Sequence, residues 1–68
     1  MKIVIGADVA GLSLKQHVKS HLEERGAEII DIGMYDADTQ IPYYEVAATA
    51  ARKVQDGEAD RAILFCGT

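Results

Sequence analysis

Three short, largely apolar runs, separated by two stretches of mixed polarity, constrain this chain most. They are KIVIG (residues 2–6), AEIIDIG (27–33) and RAILFCGT (61–68), each carrying a glycine at or near its end. Runs of this length and character read as strands buried in a sheet. Between the first two, Leu14, Val18 and Leu22 recur every fourth residue, with Lys15, Gln16, Lys19, Glu23 and Glu24 filling the polar side. That spacing predicts an amphipathic helix stopping at Gly26. Residues 34–41 (MYDADTQI) are polar and turn-rich, hence a loop. Pro42 suits the first turn of a second helix, where its missing N–H costs little. Tyr44, Ala47, Ala48, Ala51 and Val54 mark an apolar face for that helix, up to Asp56-Gly57.

Strand, helix, strand, helix, strand is the alternation of an α/β fold with parallel strands and right-handed crossovers. The expected sheet is three-stranded (βαβαβ) in the order 2-1-3, with one helix on each face. Two helices cover three strands poorly, and 68 residues make a marginal core. Residues 1–68 are therefore expected to form the first half of a Rossmann-like doubly wound domain, interrupted after the third strand. Alone, such a half should be unstable unless a partner or a second half covers its sheet.

Composition excludes several classes. A net charge of −4 argues against a nucleic-acid surface, which is normally basic. No apolar run approaches the ~20 residues that cross a bilayer, so no membrane role is expected. Met1 leads directly into an expected strand, so no signal peptide is expected. A single cysteine, Cys66, precludes an internal disulfide and fits a reducing cytoplasm.

The turn IGADVAG (residues 5–11) follows the first strand. Gly6 and Gly11 match the first and third glycines of a dinucleotide-binding fingerprint, and Asp31 matches its acidic residue ~20 positions on. The middle glycine, however, is Asp8, whose carboxylate repels the pyrophosphate that turn receives. The ligand edge of an open α/β sheet lies beyond the carboxyl ends of its strands. Asp8, Asp31 and Cys66-Gly67-Thr68 all fall near it. Asp8 is either a contact for a substrate hydroxyl or a turn residue capping the next helix. Cys66 is either a thiolate nucleophile or base, or a small packed residue. Thr68 is by default a helix cap. His17 and His21, four apart, lack a further ligand cluster and read as a solvated helix face. Tyr43 and Tyr44 read most simply as core and rim packing.

Taken together, MKIVIGADVAG, LKQHVKSHLEERGAEIIDIGMYD, IPYYEVA and DGEADRAILFCGT closely resemble the sugar-phosphate isomerase family of ribose-5-phosphate isomerase B and galactose-6-phosphate isomerase. The resemblance runs the length of the chain and implies a Rossmann-like α/β domain acting as a homodimer or higher oligomer. It implies no metal and no nucleotide cofactor. The implied reaction is an aldose–ketose isomerisation of a sugar phosphate, of the ribose 5-phosphate/ribulose 5-phosphate type, through an enediolate. Cys66 then corresponds to the base that moves a proton between adjacent carbons, and Thr68 to a residue assisting ring opening. Substrate contacts are implied for Asp8, Val9, Tyr43 and Gly67. Such chemistry needs a base and donors aimed at the developing oxyanion. In the family those donors follow the Cys-Gly-Thr segment, as do the phosphate-binding arginines and a ring-opening histidine. The 68-residue piece by itself is therefore expected to be inactive.

Two positions depart from the family pattern. Val9 stands where a histidine is usual, and Ile41 where a tyrosine often precedes the proline. Both changes are polar to aliphatic, and both bear on the substrate. Beside the isomerase reading stand a non-catalytic or specialised sugar-phosphate-binding subunit of the same fold and, more remotely, a nucleotide-binding half-domain.

Overall fold

The computed structural model describes residues 1–36, 38 and 41–67. Its elements are β1 (Lys2–Ala7), α1 (Leu12–Glu24), β2 (Glu28–Asp31), α2 (Tyr43–Gln55) and β3 (Arg61–Phe65). The sheet runs β2-β1-β3 and both pairings are parallel, as the alternation predicts. β1 is central, and Ile3, Val4, Ile5 and Ala7 are all buried. The second strand is shorter than its apolar run. Its ladder nevertheless continues, because the Ile32 N–H donates to the Ile5 carbonyl and the Ala7 N–H to the Gly33 carbonyl.

Alternation along the strands assigns the two faces. Val4 packs with Ala50 of α2 and with Ala59, joined by Ile30 and Ile32. Asp31, between those isoleucines in sequence, points the other way and meets Lys15 of α1. The helices thus lie on opposite faces of the sheet. β3 is an edge strand, and Arg61, Ala62 and Leu64 are exposed on it, so burial on both faces holds for β1 and not for β3.

Both helices end in the same way. In α1 the Gly26 N–H donates to Glu23 and the Ala27 N–H to Leu22; in α2 the Gly57 N–H donates to Val54 and the Glu58 N–H to Lys53. These are Schellman closures, which place the residue after the cap in the left-handed region. Gly26 and Gly57 occupy it, with φ of 89° and 79°. Pro42 sits one position before α2 rather than in its first turn, and its carbonyl accepts the Glu45 and Val46 N–H groups.

The inward faces differ from the expected stripes. On α1, Leu14 is 56% exposed while Lys15, assigned to the polar side, is completely buried. Val18, Lys19 and Leu22 complete that inward stripe as partly buried positions. On α2, Val46 and Ala50 are buried, whereas Tyr44, Ala48, Ala51 and Val54 are exposed. Alanines on several sides of α2 leave no unambiguous stripe in the sequence. The sheet selects the face, because Gly6 of β1 opens the space that Val46 fills. Tyr43 and Tyr44 are both exposed and meet edge to face with ring centroids 5.9 Å apart, so neither is a core residue. Among the described residues, no helix is long and apolar enough to cross a membrane.

Candidate functional site

β1 and β3 deliver their last residues side by side, and the site grows from that junction. The Asp8 N–H donates to the Phe65 carbonyl at 3.1 Å, which ties the turn after β1 to the end of β3. The Asp8 carboxylate then takes two backbone donors. Oδ1 accepts the Gly11 N–H at 2.8 Å and Oδ2 accepts the Gly67 N–H at 3.1 Å. The Cys66 thiol bonds the same carboxylate. The Gly67 and Gly11 N–H groups, in that order, hold the Asp8 carboxyl below its ordinary value; burial opposes them less strongly, and the Cys66 thiol and Ala10 N–H add smaller lowering effects. Asp8 is therefore an anion at neutral pH, and its bond to Gly11 braces the turn that leads into α1.

The glycines of this turn have packing reasons of their own. A Cβ on Gly11 would lie 2.6 Å from the Phe65 carbonyl carbon and oxygen, so the turn presses directly on β3. A Cβ on Gly6 would run into Val46, and one on Gly67 into Ala10. With the Asp8 anion in the middle position, the turn braces β1 against β3.

A cleft of about 70 Å³ opens between the ends of β1 and β3 and the first turn of α2. Its lining is almost wholly apolar, with Val46, Leu64 and Phe65 on it and Asp8, Cys66 and Tyr43 bordering it. Cys66 is exposed and its sulfur is in no disulfide. The structure thus brings together Asp8, Tyr43, Cys66 and, through its amide, Gly67. Val9 is 48% exposed and stands outside the cleft wall. Ile41 lies against Gly33, also away from the wall. Thr68 lies outside the described residues. His17 and His21 are both exposed on α1. Among the described residues, no three His, Cys, Asp or Glu side chains are grouped to hold a metal ion.

Asp31 does not reach this cleft. Its carboxylate accepts Lys15 Nζ at 2.8 and 3.0 Å, the Gly33 N–H at 3.0 Å and Lys19 Nζ at 3.4 Å. Burial raises its carboxyl, but Lys15, the Gly33 N–H and Lys19 together outweigh that and hold it below its ordinary value. Lys15 Nζ also donates to the Met34 carbonyl and lies 5.4 Å from the Tyr35 ring centroid. This buried pair was hidden from a reading by periodicity. The signal for it was a carboxylate in the middle of an apolar strand, which needs a partner in the fold.

A parallel βαβαβ sheet with a cleft at the carboxyl ends of its strands is an open α/β architecture, a class that takes its ligands at that edge. More specifically, residues 3–68 match the Ribose/Galactose Isomerase family, and the chain belongs to it. It is 47% identical over 68 residues to 4-deoxy-4-sulfo-D-erythrose isomerase of Clostridium sp. (strain MSTE9), covering 100% of this chain and 43% of that protein. It is 47% identical over 70 residues to D-erythrulose-4-phosphate isomerase 2 of Mycolicibacterium smegmatis, covering 100% of this chain and 46% of that protein. The fold superposes on ribose-5-phosphate isomerase B of Clostridium thermocellum with a TM-score of 0.93 at 40% identity, over 100% of this chain and 45% of that one. The chain thus spans less than half the length of these relatives.

Proposed function

We propose that this chain supplies the proton-transfer edge of an aldose–ketose isomerase acting on a short phosphorylated sugar. The observation that carries the proposal is that the exposed Cys66 and the Asp8 carboxylate, held by the Gly11 and Gly67 amides, line one cleft at the ends of β1 and β3. In the open-chain aldose, the Cys66 thiolate takes the proton from the second carbon. The electron pair moves into a bond between the first two carbons, and the carbonyl oxygen becomes an enediolate oxygen. Cys66 then returns the proton to the first carbon, while the proton of the second hydroxyl passes to the first oxygen. The sum is ketose for aldose, with no net oxidation and no cofactor consumed.

Asp8 has a different part. Its oxygens accept the Gly11 and Gly67 N–H groups, which hold the carboxylate at the end of β1, where a substrate hydroxyl can donate to it. Its charge does not need to change during the reaction. Tyr43 and Gly67 border the bound sugar, Val9 lies at its margin, and Thr68 assists ring opening. A working enzyme of this kind is a homodimer or higher oligomer in the reducing cytoplasm, where the thiol persists.

The named substrates of the two relatives have four carbons and that of the structural neighbour has five. The test therefore assays the full-length protein on D-erythrulose 4-phosphate and ribose 5-phosphate, following both sugars by NMR. Conversion of at least one to its aldose–ketose partner supports the proposal. No conversion of either, with saturable binding retained, identifies a binding subunit. Saturable binding of NAD in place of both sugars identifies a nucleotide domain.

A further inference from the structure

The end of β1 is held from a second side, remote from the cleft. Ala7, the residue before Asp8, donates its N–H to the Gly33 carbonyl at 2.8 Å and accepts the Met34 N–H at 3.0 Å. Residues 33 and 34 are in turn fixed by one cation. Lys15 Nζ donates to the Met34 carbonyl at 2.6 Å and to both oxygens of Asp31, which itself accepts the Gly33 N–H. Lys15 and Met34 are almost fully buried, so water does not replace these bonds. The Tyr35 hydroxyl adds a bond to the Asp31 carbonyl at 2.9 Å.

We propose that Lys15 is a positioning residue, setting the place of Asp8 against Gly67 and Cys66 through Asp31, Met34 and the backbone of Ala7. The inference rests on the reading of Asp8 and Cys66 as the working groups, but its geometry stands apart from the chemistry. A lysine on α1, on the face of the sheet opposite α2, thereby governs the cleft that α2 borders. Removing its charge leaves the Met34 carbonyl and the Asp31 carboxylate buried with fewer partners. The segment 33–34 then shifts to recover bonds, and Ala7 moves with it. Asp8 loses its register with the Gly11 and Gly67 amides.

Amide hydrogen exchange at neutral pH reads this directly in the full-length protein. Three amides are followed: Gly11 and Gly67, which donate to Asp8, and Ala50 in α2, which does not. In Lys15→Met, exchange at Gly11 and Gly67 should accelerate by about tenfold relative to Ala50. Asp31→Asn keeps the side-chain shape and should produce a smaller change in the same direction. Equal change at all three amides, or wild-type protection at Gly11 and Gly67 in the folded variant, overturns the proposal. Should Lys15→Met not fold, Asp31→Asn decides by the same criterion. Turnover of sugar phosphates by the wild-type protein is measured alongside. Its absence counts against the isomerase reading, and the amide ratios still decide the role of Lys15.

Discussion

The Asp8 carboxylate accepts the Gly67 amide proton at 3.1 Å across a sequence separation of 59 residues. One bond thereby joins the turn after the central strand to the segment leaving the edge strand. It also fixes a negative charge beside the Cys66 thiol.

That charge predicts an acid-labile brace. The Gly67 and Gly11 amides hold the Asp8 carboxyl below its ordinary value near 3.8, so the ionised form is the one the fold favours. The sign follows from linkage: this stabilisation is complete above the unfolded value and is lost as pH falls through the lower folded one. Thermal melts of the full-length protein from pH 6 down to about pH 2 should show a steeper acid limb in wild type than in Asp8→Asn. Parallel limbs would mean that Asp8 contributes nothing to acid stability.

Lys15 and Asp31 should behave as a buried pair. Removing the cation alone, as in Lys15→Met, should cost ~3–5 kcal/mol in urea denaturation because an uncompensated carboxylate stays inside. Lys19, at 3.4 Å from Asp31, softens the loss toward the lower end. The double variant Lys15→Met with Asp31→Leu should recover much of it, since a packed apolar pair is often as stable as the ion pair it replaces. A double variant no better than the single one would show that the Met34 carbonyl and Gly33 amide dominate.

Two alanine substitutions compare packing against a side chain with packing against backbone. In Gly6→Ala the new methyl meets the Val46 side chain; in Gly11→Ala it meets the Phe65 backbone. Overpacking of this kind costs ~1–3 kcal/mol, and Gly11→Ala should stand at the upper end. Gly11→Ala should also weaken substrate binding, because Asp8 is bonded to the displaced amide. Equal stability losses in the two variants would contradict the backbone contact.

The strand order and the opposed helices were legible because three apolar runs alternating with two helical stretches leave few arrangements for a parallel sheet. Gly26 and Gly57 also announced the helix ends. The helix faces were not legible. Lys15 is polar by type, yet Asp31 on β2 draws it inward and turns Leu14 out. Nothing local to α1 encodes that partner. At the site, Asp8 and Cys66 were visible as residues beyond strand ends, while their mutual bond depends on the β1–β3 register. Val9 is half exposed and Ile41 packs on Gly33, and neither is among the residues lining the described cleft. Accordingly, Val9→His with Ile41→Tyr should leave the ratio of activities on ribose 5-phosphate and D-erythrulose 4-phosphate within about twofold, where a lost buried hydrogen bond would move it tenfold or more. A tenfold shift in that ratio would return both positions to the site.

Size predicts the behaviour of the 68-residue chain by itself. Its cleft of about 70 Å³ is well below the ~300 Å³ at which small-molecule pockets begin. Incubated alone with ribose 5-phosphate or D-erythrulose 4-phosphate, it should give no conversion detectable by NMR. Turnover by this piece would show that Asp8, Cys66 and their neighbours suffice for the reaction.

The central claim is that Cys66 moves the proton, and hydrogen exchange at the substrate's second carbon tests it most directly. The full-length protein is incubated in deuterium oxide with whichever sugar phosphate it converts, and deuterium at that carbon is followed by NMR. Wild type should incorporate deuterium during isomerisation. Cys66→Ala should abolish incorporation, by more than about a hundredfold, while binding the same sugar with a Kd close to that of wild type. Incorporation by Cys66→Ala at the wild-type rate would make Cys66 a wall of the cleft and place the base elsewhere.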